Sequence, residues 1–150
     1  MKNKYGNFAV MMAVSFVSMY FIMFLNIFEI SHYYNSITRV YMTLLMIAPM
    51  ALIMLFFMKD MYNNSKINAA IIASCVVGFT LVFLALRSQF PVGDVQYMKA
   101  MIPHHSSAIL TSERADIQDP EVRKLADDII KAQVKEIAEM KALIQKLENK

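Results

Sequence analysis

Long apolar runs fill the first 87 positions of the chain, and charged residues at helical spacing fill the rest. Three runs carry no charged residue and reach about the 20 residues needed to cross a hydrocarbon core. They cover residues 8–28, 41–58 and 69–86. We therefore expect an all-α protein with a transmembrane region over residues 1–87 and a water-exposed helical domain over residues 94–150.

The lysines that flank the three runs predict an orientation. Cytoplasmic loops carry the excess of Lys and Arg, and Lys2 and Lys4 precede the first run while Lys59 and Lys66 lie between the second and third. The opposite ends of the runs carry one arginine each. A multi-pass protein of the plasma or inner membrane is predicted, with its N-terminus in the cytoplasm, its C-terminal domain outside, and membrane lipid as a partner.

Methionine recurs at every fourth residue of the second run, at Met42, Met46, Met50 and Met54. A stripe of thioethers can pass a soft cation, and it also suits flexible packing between helices. Ionisable residues within a span mark most ion pathways, and the three runs have none. The pattern favours packing, with a cation path as the alternative.

The water-exposed part is predicted to form two helices. The first begins with Asp94 as its N-cap and ends near Arg114, with Pro103 bending it or restarting it in the middle. Asp119 as N-cap, followed by a proline, opens the second, which extends to about Glu148. Its apolar positions form one stripe at helical period: Val122, Leu125, Ala126, Ile129, Ile137, Met140, Ile144 and Leu147.

Two helices joined by a short loop form an antiparallel hairpin, which by itself encloses little core. The hairpin needs a partner. A second copy of the chain would complete a four-helix bundle around a two-fold axis, giving a homodimer or a higher homo-oligomer. Alternatively, the hairpin lies back on the outer ends of the membrane helices.

The segment before and after Pro103 carries the strongest candidate chemistry. Met98, Met101 and His105 share one helix face at spacings of three and four residues, and His104 adjoins them. Thioether and imidazole ligands together suit copper, whereas zinc is served by imidazole without thioethers. A copper ion is therefore the expected cofactor, with zinc less favoured.

Three residues of the second helix, Gln133, Glu136 and Met140, would face this segment at spacings of three and four residues. Met140 and Glu136 are candidate ligands, and Gln133 is a candidate for orienting the imidazoles by hydrogen bonds. Basic residues of this part alternate with acidic ones, which argues against nucleic acid as a partner. The single cysteine, Cys75, gives no disulfide within the chain, and the motifs of nucleophilic catalysis are missing, so an enzyme is not expected.

Three motifs in order resemble the DUF305 family: Met-Ile-Pro-His-His-Ser-Ser-Ala-Ile at 101–109, Asp-Pro-Glu-Val-Arg-Lys-Leu-Ala at 119–126, and Ile-Ile-Lys-Ala-Gln-Val-Lys-Glu-Ile-Ala-Glu-Met at 129–140. The resemblance implies a ferritin-like helical fold and copper binding outside the cytoplasm. It places the family's motif residues on Met101, His104, His105, Ala132, Gln133, Glu136, Ile137 and Met140. Thr111 stands where family members often carry a methionine, so one thioether is replaced by a hydroxyl that can act only in support of the ligands.

Three functional hypotheses follow. The first is a membrane-tethered protein that buffers or relays copper through a His/Met site. The second is a structural helical oligomer in which the His-His motif serves packing and hydrogen bonding without metal. The third, a ferritin-like dimetal oxidoreductase, is disfavoured because those centres use Glu-x-x-His motifs on facing helices, and this chain has no such motif.

Overall fold

The protein is helical throughout the part described by the structure, a computed structural model covering residues 4–149. No strand occurs in that range, which confirms the all-α prediction. A short 3-10 turn at Ile30–His32 lies between the first two helices. The helices are α1 Lys4–Ile22, α2 Ile37–Phe57, α3 Ser65–Ser88, α4 Asp94–Arg114 and α5 Pro120–Glu148.

The chain divides into two compact units, and the division is not the one expected from sequence. The first unit contains the residues up to Ile22 together with Thr38–Pro91. The second contains Met23–Ile37 together with the chain from Val92 onward. The segment between α1 and α2, here called the connecting segment (Met23–Ile37), thus belongs with the C-terminal hairpin, although it lies within the predicted transmembrane region in sequence.

In the first unit, α1, α2 and α3 are each long and apolar enough to span a membrane. Their 19, 21 and 24 residues correspond to lengths of roughly 30 Å, the thickness of the hydrocarbon core. Large apolar side chains such as Phe57 and Leu81 are exposed on their outer surfaces. Such surfaces suit lipid rather than water, and the unit is consistent with a membrane protein.

A small aromatic cluster holds the first unit together near the start of α3. Phe8, Leu55 and Tyr62 are buried against one another, and the Phe8 and Tyr62 rings meet edge to face with centroids 5.4 Å apart. Met54 of the methionine stripe packs against this cluster, whereas Met42 is exposed. Packing accounts for Met54, and a cation path along the stripe stays a hypothesis.

Helix α1 ends at Ile22, six residues before the predicted end of the first apolar run. The apolar residues that follow are used in the second unit instead. The Phe24 ring contacts the Tyr33 ring with centroids 4.1 Å apart, and Phe28 packs against the core of the hairpin. Hydrophobicity alone does not distinguish residues that contact lipid from residues that pack in this way. The span predicted over residues 8–28 therefore extends too far at its C-terminal end.

Helix α4 is continuous through Pro103, so of the two alternatives the restarted helix is wrong. The helix begins at Asp94 with Gly93 as its N-cap and without a side-chain cap, one residue earlier than predicted. Asp94 nevertheless lies in the first turn, where a carboxylate stabilises the helix dipole. Because the helix is unbroken, Met98, Met101 and His105 keep the predicted helical spacing.

Helix α5 begins as the sequence predicts. The Asp119 carboxylate accepts hydrogen bonds from the backbone amides of Glu121 at 2.8 Å and Val122 at 3.0 Å, and Pro120 is the first helical residue. The helix ends at Glu148, also as predicted. Local capping chemistry was sufficient to place the start of this helix.

Helices α4 and α5 pack as a hairpin, and the connecting segment covers one side of it. Phe28 and Tyr34 pack against the hairpin core. The hairpin was expected to need a packing partner, and the connecting segment of the same chain provides part of it. The core consists of Met98, Ile102, Ile109, Ile137, Met140 and Ile144.

The other side of the hairpin is open. Leu125, Ile129 and Leu143 of α5 are 61%, 36% and 47% exposed, although two of them were predicted to belong to the buried stripe. Their helical positions place them beside Glu136, away from the buried Ile137 and Ile144. An apolar strip of α5 is thus left uncovered within this unit.

Candidate metal centre

Helix α4 places the two adjacent histidines differently. The side chain of His105 is 12% exposed, and His104 is exposed. Their ring centroids are 6.1 Å apart, with the planes inclined by 52°. His105 thus lies at the contact between α4 and α5, and His104 stands beside it at the surface.

The central feature of the site is the pair formed by His105 and Glu136. The Nδ1 atom of His105 lies 3.2 Å from a carboxylate oxygen of Glu136 on α5. The nitrogen is buried and has no hydrogen bond, because the approach to the carboxylate does not have hydrogen-bond geometry. A buried polar atom without a hydrogen bond is costly, and a water molecule or an ion beside it would remove that cost.

The charge state of His105 suits a metal ligand. Burial lowers the pKa of His105 below its ordinary value of 6.5, the nearby His104 lowers it further, and the Glu136 carboxylate opposes the shift. The imidazole is therefore neutral at pH 7, and a neutral imidazole offers a nitrogen lone pair to a cation. The carboxylate beside it supplies negative charge.

The three candidate thioethers lie inside the same hairpin. Met98 and Met140 are buried members of the core, and Met101 is half-buried against it. Met98 and Met140 therefore contribute to packing whether or not they bind a metal. Met101 lies one turn before His105 on α4 and is the least buried of the three.

The two residues predicted to support the ligands differ in their contacts. Gln133 is half-buried on α5, one turn before Glu136. The Thr111 hydroxyl donates to the backbone oxygens of Ser107 at 3.0 Å and Ala108 at 3.1 Å, so it is engaged by its own helix. The supporting role of Gln133 stays a prediction, and Thr111 is occupied elsewhere.

One chain supplies few hard ligands to this centre. Among residues 4–149, no group of three or more His, Cys, Asp or Glu side chains is placed to hold a metal ion. Structural zinc sites use four such ligands, so one chain supplies fewer hard ligands than such a site takes. The thioethers of Met98, Met101 and Met140 on the same hairpin are donors that a soft ion accepts.

The sequence did not predict the contacts made by the two serines that follow the histidine pair. His32 of the connecting segment is buried, and its Nδ1 lies 2.9 Å from the hydroxyl oxygen of Ser106, which is completely buried. The same oxygen accepts a hydrogen bond of 2.7 Å from the backbone amide of Phe28. In addition, the Asn26 side-chain amide donates to the Ser107 hydroxyl at 2.9 Å. The two serines of the motif therefore bind the connecting segment.

His32 is also held in its neutral form. Burial lowers the pKa of His32 below 6.5, and the Lys141 ammonium adds to the shift, while the Glu29 carboxylate opposes it. Lys141 donates to the Ser31 hydroxyl at 3.2 Å, so a cation of α5 is fixed near the ring. The surroundings of His32 disfavour a second positive charge.

This arrangement predicts that the second unit loses stability in acid. Because the folded-state pKa of His32 lies below the unfolded value of 6.5, the unfolded chain binds more protons below that pH, and unfolding becomes easier. We expect the thermal midpoint of the metal-free protein in detergent to fall between pH 7.5 and pH 5.5. His32→Asn should flatten this dependence, and a midpoint that rises on acidification would contradict it.

Comparison with known proteins assigns the C-terminal part of the chain to a family. Residues 94–150 match the family described as "Domain of unknown function (DUF305)". The "Uncharacterized protein L153" of Acanthamoeba polyphaga mimivirus is 36% identical over 114 residues, which cover 73% of each chain. No solved structure matches. The chain belongs to the DUF305 family.

The similarity to the mimivirus protein is not confined to the hairpin. The 114 matched residues exceed the length of the 94–150 segment, so the match extends into residues that precede Asp94. Part of the apolar region or of the connecting segment is therefore similar in both proteins.

Proposed function

We propose that this protein is a membrane-tethered metal-binding protein that buffers or relays copper at the outer face of the membrane. The observation that carries the proposal is the buried Nδ1 of His105, which has no hydrogen bond and lies 3.2 Å from Glu136. A metal ion would satisfy that nitrogen and be balanced by the carboxylate. We place His105 and Glu136 at the centre of the site.

The neighbouring groups favour copper over harder cations. His104 lies beside His105 and is accessible from solvent, so it can receive an ion and pass it inward. Met101, Met98 and Met140 provide thioethers, which stabilise Cu(I). When bound, copper would hold α4 and α5 together and would be exchanged through the exposed His104. We propose binding rather than an enzymatic reaction.

Metal titration tests this proposal. The purified full chain in detergent is titrated with Cu(I), Cu(II) and Zn(II), in parallel with the double variant His104→Ala/His105→Ala. We expect the Cu(I) affinity of the double variant to be lower by on the order of 100-fold, since two ligands are lost. Equal affinities of the two proteins for Cu(I) would eliminate the site, and tighter binding of Zn(II) than of Cu(I) would eliminate copper as the preferred ion.

The location outside the cytoplasm rests on the lysines that flank the membrane helices. The connecting segment follows the first crossing and the hairpin follows the third, so three crossings place both on one side. Their packing within one unit agrees with this. A membrane-impermeant thiol reagent should label Lys124→Cys, but not Lys66→Cys, in intact cells that express the Cys75→Ala background. Labelling of Lys66→Cys alone would reverse the orientation.

One observation favours a structural role as the second candidate. Ser106 and Ser107, directly after the histidine pair, bind His32, Phe28 and Asn26 of the connecting segment. Part of the motif therefore holds the second unit together without any metal. On this hypothesis the double histidine variant would lose thermal stability while its metal affinity stayed the same as that of the unmodified chain.

A further inference from the structure

The open strip of α5 has an unusual symmetry about Glu136. Leu143 and Ile129 lie seven residues from it on either side, and Leu125 and Leu147 lie eleven residues from it. Leu147 is half-buried, with part of its side chain against the hairpin core. Seven residues make about two helical turns and eleven about three, so all of these positions share one face of the helix. The order of residue types along the strip is the same from either end: two large apolar residues, a central carboxylate, and two large apolar residues.

This symmetry fits a second copy of the same helix running antiparallel. When Glu136 lies opposite Glu136 of the second copy, Ile129 comes opposite Leu143, and Leu125 comes opposite Leu147. Each apolar residue then meets an apolar residue of similar size. A two-fold axis through Glu136 is the only operation this register requires.

Charges along the edge of the strip support the same register. Asp128 and Lys135 are exposed on one flank of α5, as are Glu139 and Lys146. In the antiparallel pair, Asp128 comes within one turn of Lys146 of the second copy, and Lys135 within one turn of Glu139. Opposite charges at such flanking positions set the orientation and partner choice of paired helices. Each pair occurs twice by symmetry.

The centre of this pairing is the candidate metal site. Within the described residues of one chain, fewer than three His, Cys, Asp or Glu side chains come together. The two-fold axis at Glu136 would bring a second carboxylate to the first, and each carboxylate lies 3.2 Å from a His105 nitrogen. Two copies would thus assemble two imidazoles and two carboxylates where one copy has one of each.

We propose that two chains pair through the α5 strip Leu125, Ile129, Glu136, Leu143 and Leu147, and that His105 and Glu136 of both copies form one shared metal site. The site is incomplete in a single chain. This inference rests on the metal-binding function proposed above, but the pairing itself can be measured without metal.

Disulfide cross-linking tests the register in the full chain with Cys75→Ala in detergent. A cross-link requires Cα atoms within about 7 Å. Glu136→Cys should cross-link to itself, and Ile129→Cys should cross-link to Leu143→Cys on a separately tagged chain. Ile129→Cys alone should not, because residues 129 of the two copies are about 20 Å apart at 1.5 Å per residue. Val134→Cys, exposed on another face, is the negative control.

The outcomes separate the pairing from the function. If the predicted cross-links form and one Cu(I) binds per two chains, both stand. If the cross-links form and no metal binds, the pairing stands and the proposed function fails. If one Cu(I) binds per chain, or if Ile129→Cys cross-links to itself, the shared site is wrong. Leu143→Glu should abolish the Glu136→Cys self-cross-link and, in the otherwise unmodified chain, lower Cu(I) affinity at least tenfold, and unchanged affinity would also overturn the shared site.

Discussion

Ser106→Ala is expected to destabilise the second unit by about 2–3 kcal/mol, because a hydrogen bond lost from a buried group costs about 1–3 kcal/mol. The Ser106 oxygen accepts from the amide of Phe28 and lies in hydrogen-bond contact with His32. Alanine leaves both partners without a replacement, since the site is closed to water. The connecting segment should separate from the hairpin first, and hydrogen exchange of its amides is the measurement.

Ser107→Ala is the matched control for this prediction. Ser107 makes a similar bond of 2.9 Å to Asn26, but that bond is exposed, and water replaces it at little cost. We expect Ser107→Ala to leave exchange in the connecting segment nearly unchanged. Equal exchange rates in the two variants would show that the buried contact of Ser106 does not hold the segment.

The second large effect concerns metal affinity. Glu136→Gln should weaken Cu(I) binding by about 10–100-fold, the range seen when a ligand or its supporting group is altered in a metal site. Glutamine has the same size, so the change removes the negative charge facing His105 Nδ1 and preserves the packing. Competition with a chromophoric Cu(I) chelator measures the affinity.

Glu113→Gln provides the control for this variant. It removes the same charge from an exposed carboxylate of the same hairpin, two turns beyond His105 on α4 and outside the α5 strip. General electrostatic attraction of cations would be reduced equally in both variants. If both proteins lost affinity to the same extent, a specific role for Glu136 would be ruled out.

Local chemistry explains which parts of the fold were predictable. The bounds of α5 follow from the Asp119 cap, the proline after it and the apolar periodicity, all of which are encoded within a few residues. The three helices that are long and apolar enough to span a membrane follow from the length of uncharged runs. These signals come from residues that are close in sequence, so they can be recognised without knowledge of the fold.

The end of α1 and the role of His32 depend on contacts with residues far along the chain. Phe28 and His32 meet Ser106, more than 70 residues away. Residues 23–28 are all apolar except Asn26, so their composition resembles that of a membrane span, and Asn26 was the available signal. It binds Ser107 instead of facing lipid.

For the candidate site, the sequence predicted that His105 and Glu136 lie close together. It did not predict which of the two histidines faces α5. Adjacent residues on a helix point about 100° apart, so only one of His104 and His105 can face α5. Which one does so is determined by how α4 is rotated against its partner. That rotation is fixed by the core around Ile102, which has no solvent exposure.

X-ray absorption at the copper edge tests the central claim most directly, because it identifies the atoms bound to the ion. The full chain loaded with Cu(I) should show both nitrogen or oxygen and sulfur neighbours, and His105→Ala should lose nitrogen scattering. A spectrum that is the same in the unmodified chain and in His105→Ala would contradict the account.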